Sequence, residues 1–293
     1  MQKKTVPRTA FVFAGGGSLG AIQVGMLKAL TEQGVQADLL VGSSVGAINA
    51  AYFAADPSPQ GVAELEAIWH SLSRDDVFRF SWMGGIKGLL GKRTHIFDEG
   101  TFKRFLVDRL PFQDFREASV PIHIIASDFV SGEEVVLAQG KMLLALLASA
   151  AIPGIFPPVQ IDGRFLIDGG VANHTPATTA LKLGATRLIV LPTGFTCTPA
   201  LPPTGALNIA LHSLNLIIAR QLLQDLEAHQ EEADIFVVPP LCPQRTHPLD
   251  FHTAGSLIDE GYTLTRQWLA EGGLSNCSSF DCIRLHRHDM EPP

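Results

Sequence analysis

Three short stretches carry residues whose type and spacing suit chemistry. In the first, a leucine- and valine-rich run from Leu39 leads through Gly42-Ser43-Ser44-Val45-Gly46 into an alanine-rich segment. The spacing Gly42-x-Ser44-x-Gly46 is that of a nucleophile elbow, in which a serine on a strained strand-to-helix turn is lifted out of the sheet. Side chains at Gly42 and Gly46 would collide across so sharp a turn. A helix starting near Ser44 would also aim free N–H groups at developing negative charge. A plain small-residue loop is the alternative, and the apolar run before and the alanines after favour the elbow. Of the two adjacent serines, only Ser44 has glycines two before and two after it.

The second stretch is Gly15-Gly16-Gly17-Ser18-Leu19-Gly20, placed between the apolar Phe11-Val12-Phe13-Ala14 and a segment with Ile22, Met26, Leu27 and Leu30 at helical spacing. Strand, glycine loop and helix outline an anion site, because successive backbone N–H groups point at one spot and the helix dipole adds to them. Gly15, Gly17 and Gly20 match G-x-G-x-x-G, so a nucleotide-binding oxidoreductase is one reading. That fold wants an acid at the far end of the second strand. Here the second strand ends in the elbow and Asp38 lies at its near end, so the loop reads better as an oxyanion hole serving Ser44.

The third stretch is Phe165-Leu166-Ile167-Asp168-Gly169-Gly170. An acid ending an apolar strand in a glycine turn suits a hydrogen bond to a neighbouring hydroxyl. Asp-Gly is also an ordinary turn signal, and taken alone this stretch favours the ordinary turn.

These stretches need a sheet to bring them together. Apolar runs at Phe11–Ala14, Leu39–Val41, Ile122–Ala126, Phe165–Ile167, Thr186–Leu191 and Asp234–Val238 read as strands, with Val135–Leu137 following a hairpin turn at Ser131-Gly132. Helical periodicity recurs between them, over Ala47–Ala55, Val62–Leu72, Asp98–Leu110, Lys141–Ala151, Leu207–Leu226 and Ala254–Ala270. Alternating strands and helices predict one α/β domain over 8–272, a three-layer α/β/α sandwich with a mainly parallel central sheet. Residues 273–293 are polar and mixed, and read as a flexible tail.

With 293 residues, 46% hydrophobic and 17% charged, the chain is long enough for one large core. A net charge of −7 and a pI near 5.8 disfavour nucleic acid as a partner. Glycines interrupt the apolar start too early for a signal peptide, and no apolar run reaches the roughly 18 residues of a membrane span. A soluble, cytoplasmic protein is the expectation. Cys197, Cys242, Cys277 and Cys282 show no paired spacing and read as reduced thiols, and the Cys/His pattern of the tail fits no zinc motif. Residues 74–95 mix Phe78, Phe80, Trp82, Met83, Ile86, Leu89 and Leu90 with five bases and two acids. Ordinary packing is the plainer reading, and a lid or transient membrane-surface contact is the other.

The glycine loop, the elbow, the segment Ala148-Ser149-Ala150-Ala151-Ile152-Pro153-Gly154-Ile155-Phe156-Pro157-Pro158-Val159 and the Asp168-Gly169-Gly170 turn, in that order, resemble the patatin-like phospholipase family over residues 9–180. The resemblance implies a serine lipid acyl hydrolase with a Ser–Asp dyad. Ser44 would be the nucleophile, Asp168 its base, and the amides of Gly15, Gly16 and Gly17 the oxyanion hole, with no cofactor or metal. It further implies a phospholipid, lysophospholipid or other fatty acyl ester as substrate. Many members carry Arg or Lys directly before the last glycine of the first motif, where this chain has Leu19. That departure bears on whether the loop contacts a phosphate. His174, six residues past Asp168, leaves a Ser…Asp…His triad as an alternative, though that order normally separates acid and histidine by a long insertion. The further alternative is a silent lipid-binding scaffold that keeps the fold.

Overall fold

The computed structural model describes residues 8–77, 99–194, 197–198, 205–242, 247–248, 250–275, 280–284 and 286–287. Its strands are β1 (Thr9–Phe13), β2 (Leu39–Ser43), β3 (Ile122–Asp128), β4 (Glu134–Leu137), β5 (Val159–Ile161), β6 (Arg164–Asp168), β7 (Arg187–Leu191), β8 (Cys197–Thr198), β9 (Asp234–Val237) and β10 (His286–Arg287). Eight of them form one sheet in the order β5-β6-β3-β2-β1-β7-β9, with β4 also pairing β3, while β8 and β10 pair separately. The pairs among β3, β2, β1, β7 and β9 are parallel, and those of β3 with β4, β3 with β6 and β5 with β6 are antiparallel.

The parallel strands are apolar on both faces because both faces are covered. In β1, Phe11 and Phe13 enter one core while Ala10 and Val12 enter the other. The first core is roofed by α1 (Gly20–Glu32), α2 (Val45–Ala55), α3 (Pro59–Ser71), α6 (Met142–Ser149) and α9 (Ala254–Ala270). The second is closed by α7 (Ala177–Lys182) and α8 (Ala206–His229). Three layers result, as the pattern of strands and helices predicts. The remaining helices are the short α4 (Arg74–Val77) and α5 (Glu99–Arg109).

Helices α1 and α9 cross at two glycines. A Cβ on Gly25 would lie 2.1 Å from the Ile258 carbonyl oxygen, and one on Gly261 would lie 2.7 Å from that of Ile22. Backbone therefore packs directly on backbone where the helix that leaves the glycine loop meets the last long helix.

Two expectations need correcting. Residues 273–293 do not form a wholly loose tail: Phe280 and Ile283 are buried on a short 3₁₀ turn in the second core, beside Leu222 and Leu226 of α8. Their spacing of three places both side chains on one side of that turn, and this short apolar signal is easily lost in a polar stretch. The cysteines are not all reduced either. Cys242 is disulfide-bonded, while Cys282 carries a free thiol. Half-cystines meet through the fold, so linear spacing was blind to the pairing. Of the 74–95 segment, residues 78–95 lie outside the described residues. Among the described residues, no helix is long and apolar enough to cross a membrane.

Candidate active site

Strand β3 acts as a ruler that brings Ser44 and Asp168 together. On one of its edges, β2 runs parallel up to the pair Ser43↔Ile125. Along the same edge β6 approaches antiparallel from the opposite end, and stops at Asp168↔Ala126. The other edge holds β4. The C-terminal ends of β2 and β6 thus meet head to head over consecutive residues of β3. The residue after Ser43 is Ser44, and its Oγ donates to Asp168 Oδ2 at 2.7 Å.

Ser44 holds the backbone that the motif demands, with φ 54° and ψ −127°, in a region other side chains seldom visit. It caps α2 at the positive end of the helix dipole. The flanking glycines answer to sterics. A Cβ on Gly42 would sit 2.7 Å from the Gly46 carbonyl oxygen, and one on Gly46 would sit 2.5 Å from that of Ala14 on the neighbouring strand. The Ser44 N–H donates to Ser149 Oγ at 2.9 Å, and Ser149 Oγ donates in turn to the Ile125 carbonyl at 2.6 Å. Ser149 lies at the end of α6 and is fully buried. Its place beside Ser44 was missed at the level of sequence, where it was only one residue of an alanine-rich helix.

Asp168 is 7% exposed. Its Oδ1 accepts from the Gly170 amide at 2.7 Å, and the Ser127 hydroxyl donates to its carbonyl at 2.8 Å. Gly169 follows because a Cβ there would lie 2.2 Å from the Ile125 carbonyl oxygen. Burial raises the Asp168 pKa to about 6 against the opposing pull of the Ser44 and Gly170 hydrogen bonds. Such a carboxylate is ionised at neutral pH yet more basic than an ordinary one. The imidazole of His174 lies beside Gly15 and Gly170. Burial pushes its pKa down to about 4, so it is neutral there. The serine bonds Asp168 directly, without an imidazole between them.

The glycine loop lies against the elbow because β1 and β2 are parallel neighbours, with Phe13 opposite Gly42. Its amides are not equivalent. The Gly15 N–H donates to the His174 carbonyl at 3.0 Å, and the Ser18 N–H to the Pro248 carbonyl at 2.8 Å. Gly15 is therefore corrected from the expected trio of oxyanion donors, its amide being engaged. Gly16 and Gly17 take φ 147° and 60°, and neither amide has a protein acceptor among the described residues. The Thr193 hydroxyl pins the loop by donating to the Gly15 carbonyl. Gly20 packs against Val45 of the elbow helix, where a Cβ would come within 2.6 Å of its side chain. Leu19 is buried in the first core, so this position contributes no contact to a phosphate.

Below the loop, a buried polar network ties three helices together. Asn49 Nδ2 donates to the Gly20 carbonyl and to Gln23 Oε1, and Trp69 Nε1 donates to Asn49 Oδ1, each at 2.9 Å. Gln23 Nε2 donates to the carbonyls of Ala14 and Leu191, both at 2.9 Å. Both ends of the loop are so fixed to the helix that carries Ser44.

Ser44 and Gly17 open onto a cavity with an almost wholly apolar lining, including Val45, Ile48, Leu65, Phe102, Phe105 and Phe156. The fold is thus an α/β sandwich with a buried Ser–Asp pair at the mouth of an apolar cavity. The patatin-like phospholipase model matches residues 11–181, and the chain belongs to the patatin-like phospholipase family. It is 34% identical over 169 residues to an uncharacterised NTE family protein of Mycobacterium tuberculosis, covering 57% of this chain and 27% of that protein. With patatin-like phospholipase domain-containing protein 7 of Mus musculus it shares 30% over 187 residues, 63% of this chain and 13% of the relative. The neuropathy target esterase sws of Drosophila melanogaster is 26% identical over 185 residues, 62% of this chain and again 13% of the relative. The chain thus matches a small part of these much longer proteins. Human GIVD cytosolic phospholipase A2 shares the fold, with a TM-score of 0.52 and 10% identity over 94% of this chain and 60% of that one.

Proposed function

We propose that the chain hydrolyses carboxylic esters of fatty acids, with Ser44 as nucleophile and Asp168 as its base. The observation that carries this reading is the 2.7 Å hydrogen bond from Ser44 Oγ to Asp168 Oδ2 at the wall of an apolar cavity. Asp168 takes the proton as Oγ attacks the acyl carbonyl carbon, and the amides of Gly16 and Gly17 receive the oxyanion. Collapse of the tetrahedral intermediate expels the alcohol, protonated by Asp168. Water then attacks the acyl-serine with Asp168 again as base, releasing the fatty acid. No metal or organic cofactor enters the scheme.

The names of relatives, an esterase and phospholipase domain proteins, support a lipid ester. The buried Leu19 favours esters whose recognition does not depend on a basic loop side chain at a phosphate. A simple acyl ester fits that best, since a lysophospholipid carries a phosphate just as a phospholipid does. A transient contact with lipid surfaces through the 74–95 segment belongs to the same reading. The cytoplasmic expectation is not carried into it, since a disulfide at Cys242 suits an oxidising compartment.

The Gly15–Gly20 loop is poorly arranged for a dinucleotide. The Ser18 amide is bonded to Pro248, and the Ser18 hydroxyl donates to the His247 carbonyl at 3.2 Å, so two groups that would hold a phosphate are engaged. Labelling with a fluorophosphonate tests the proposal. Wild type and Ser43→Ala should label and Ser44→Ala should not, whereas no labelling of a well-folded wild type would favour the silent scaffold.

A further inference from the structure

The cavity beside Ser44 has one unexplained group. Among its lining side chains, only Ser44, Trp69 and Tyr52 carry polar atoms. Ser44 Oγ is bonded to Asp168, and Trp69 Nε1 to Asn49. The Tyr52 hydroxyl is buried, its residue only 8% exposed, and among the described residues it has no hydrogen-bond partner. A phenylalanine would fill the same space without stranding a hydroxyl, and an unmet buried donor is costly. Nor does the site suit an ordered water, which needs two to four polar partners. A hydroxyl of this kind has a use if a ligand supplies its partner.

Position defines the ligand. Val45, Ile48 and Tyr52 line the cavity from one face of α2. At 1.5 Å per residue Tyr52, eight residues past Ser44, stands about 12 Å along the helix from that serine, roughly the reach of nine or ten methylene groups. A cation also lies near the far end, with the Asp76 carboxylate in its field. Arg109 places its guanidinium 4.6 Å from the centre of the Phe105 ring, which lines the same cavity, and its charge is felt at the Tyr52 phenol. A donor hydroxyl near a cation favours an electron-rich oxygen.

Building on the esterase reading above, we propose that Tyr52 is a specificity-determining residue which selects acyl chains bearing an acceptor oxygen, a hydroxyl or carboxylate, about eight to ten carbons from the ester carbonyl. The chain runs along the α2 face from Ser44, its methylenes on Val45 and Ile48, and its distal oxygen accepts from Tyr52 Oη.

The test compares p-nitrophenyl decanoate with its 10-hydroxy and ω-carboxy analogues on wild type and Tyr52→Phe. Wild type should favour at least one oxygenated chain about tenfold in kcat/KM, and the pair of analogues tells hydroxyl from carboxylate. Tyr52→Phe should reverse that preference while its melting temperature stays level or rises. A wild-type preference for plain decanoate, a ratio unchanged by the substitution, or a lower melting temperature would each overturn the proposal, the last because it would reveal a protein partner for the hydroxyl. Calorimetric binding of methyl decanoate and methyl 10-hydroxydecanoate to Ser44→Ala and to Ser44→Ala/Tyr52→Phe reads the same preference without turnover. Absence of all hydrolysis with the preference intact in binding would therefore defeat the esterase reading and leave this inference standing.

Discussion

At the scale of single residues, the site joins two requirements that pull in opposite directions. In the proposed reaction Asp168 must be ionised to accept a proton, yet it is buried where charge is disfavoured. Its pKa rises from 3.8 to about 6, so between these values the folded protein holds a proton that the unfolded chain has released. Its contribution to stability therefore falls as pH rises through that window, by a total on the order of 2–3 kcal/mol. Asp168→Asn removes that cost. Thermal melting at pH 7 should show it more stable than wild type by up to that amount, while turnover falls about 10³-fold or more; a less stable, inactive variant would mean that the carboxylate anchors the turn. For wild type, kcat/KM should rise with pH to a plateau with an apparent pKa near 6. His174, kept neutral by burial, should tolerate Ala with a far smaller loss of rate. Ser149→Ala strands the Ser44 N–H and should cost about 1–3 kcal/mol. It should also lower kcat roughly tenfold with KM little changed, because the elbow is displaced and not the cavity. An equal change in KM would place Ser149 in substrate binding instead.

Elements carry the next set of constraints. Helix propensity alone says that Gly25→Ala should stabilise α1 by about 1 kcal/mol. The contact with α9 reverses the sign, because the new Cβ would meet the Ile258 carbonyl oxygen at 2.1 Å. Denaturant titration should show a loss of about 2–3 kcal/mol, and a gain would mean that the two helices can part. The same distinction between local and tertiary cause divides what the sequence disclosed from what it hid. Ser44 was legible because its backbone strain forces small residues at fixed offsets, and the strands β1, β2, β3 and β7 because burial on both faces leaves them uniformly apolar. Asp168 was ambiguous alone and gained meaning only from the order of the other motifs. Ser149, the engaged amide of Gly15 and the orphaned hydroxyl of Tyr52 were invisible, since each depends on a group far along the chain. Strand β5 was missed for a milder reason: Val159–Ile161 is three residues of half-exposed edge after two prolines, with too little alternation to announce a strand.

For the whole molecule, the chain's last described turn has a structural part. Ile283 is 1% exposed and Arg284 pairs with Glu227 of α8 at 2.5 Å, so this turn fastens α8 to the sheet face away from the catalytic cavity. Ile283→Ala should lower stability by about 2–4 kcal/mol. Ester turnover below the melting transition should be unchanged, because Ile283 lines neither the cavity nor the Ser44–Asp168 pair. Loss of activity at full stability would instead connect the second core to catalysis.

The ruler strand has a consequence for how this site can change. Neither reacting group belongs to β3, but their separation is written in its numbering: one partner registers on Ile125 and the other on Ala126. Substitutions along β3 leave that distance alone so long as the backbone ladder survives. An insertion of one residue between them would add about 3.3 Å and turn one partner's strand to the opposite face of the sheet. Length is thus the inherited quantity here and composition the negotiable one. A lineage could repaint the side chains of β3, Ser127 with its bond to the Asp168 carbonyl aside, and keep the two groups together, while a single in-frame codon gained or lost at its midpoint would part them in one step.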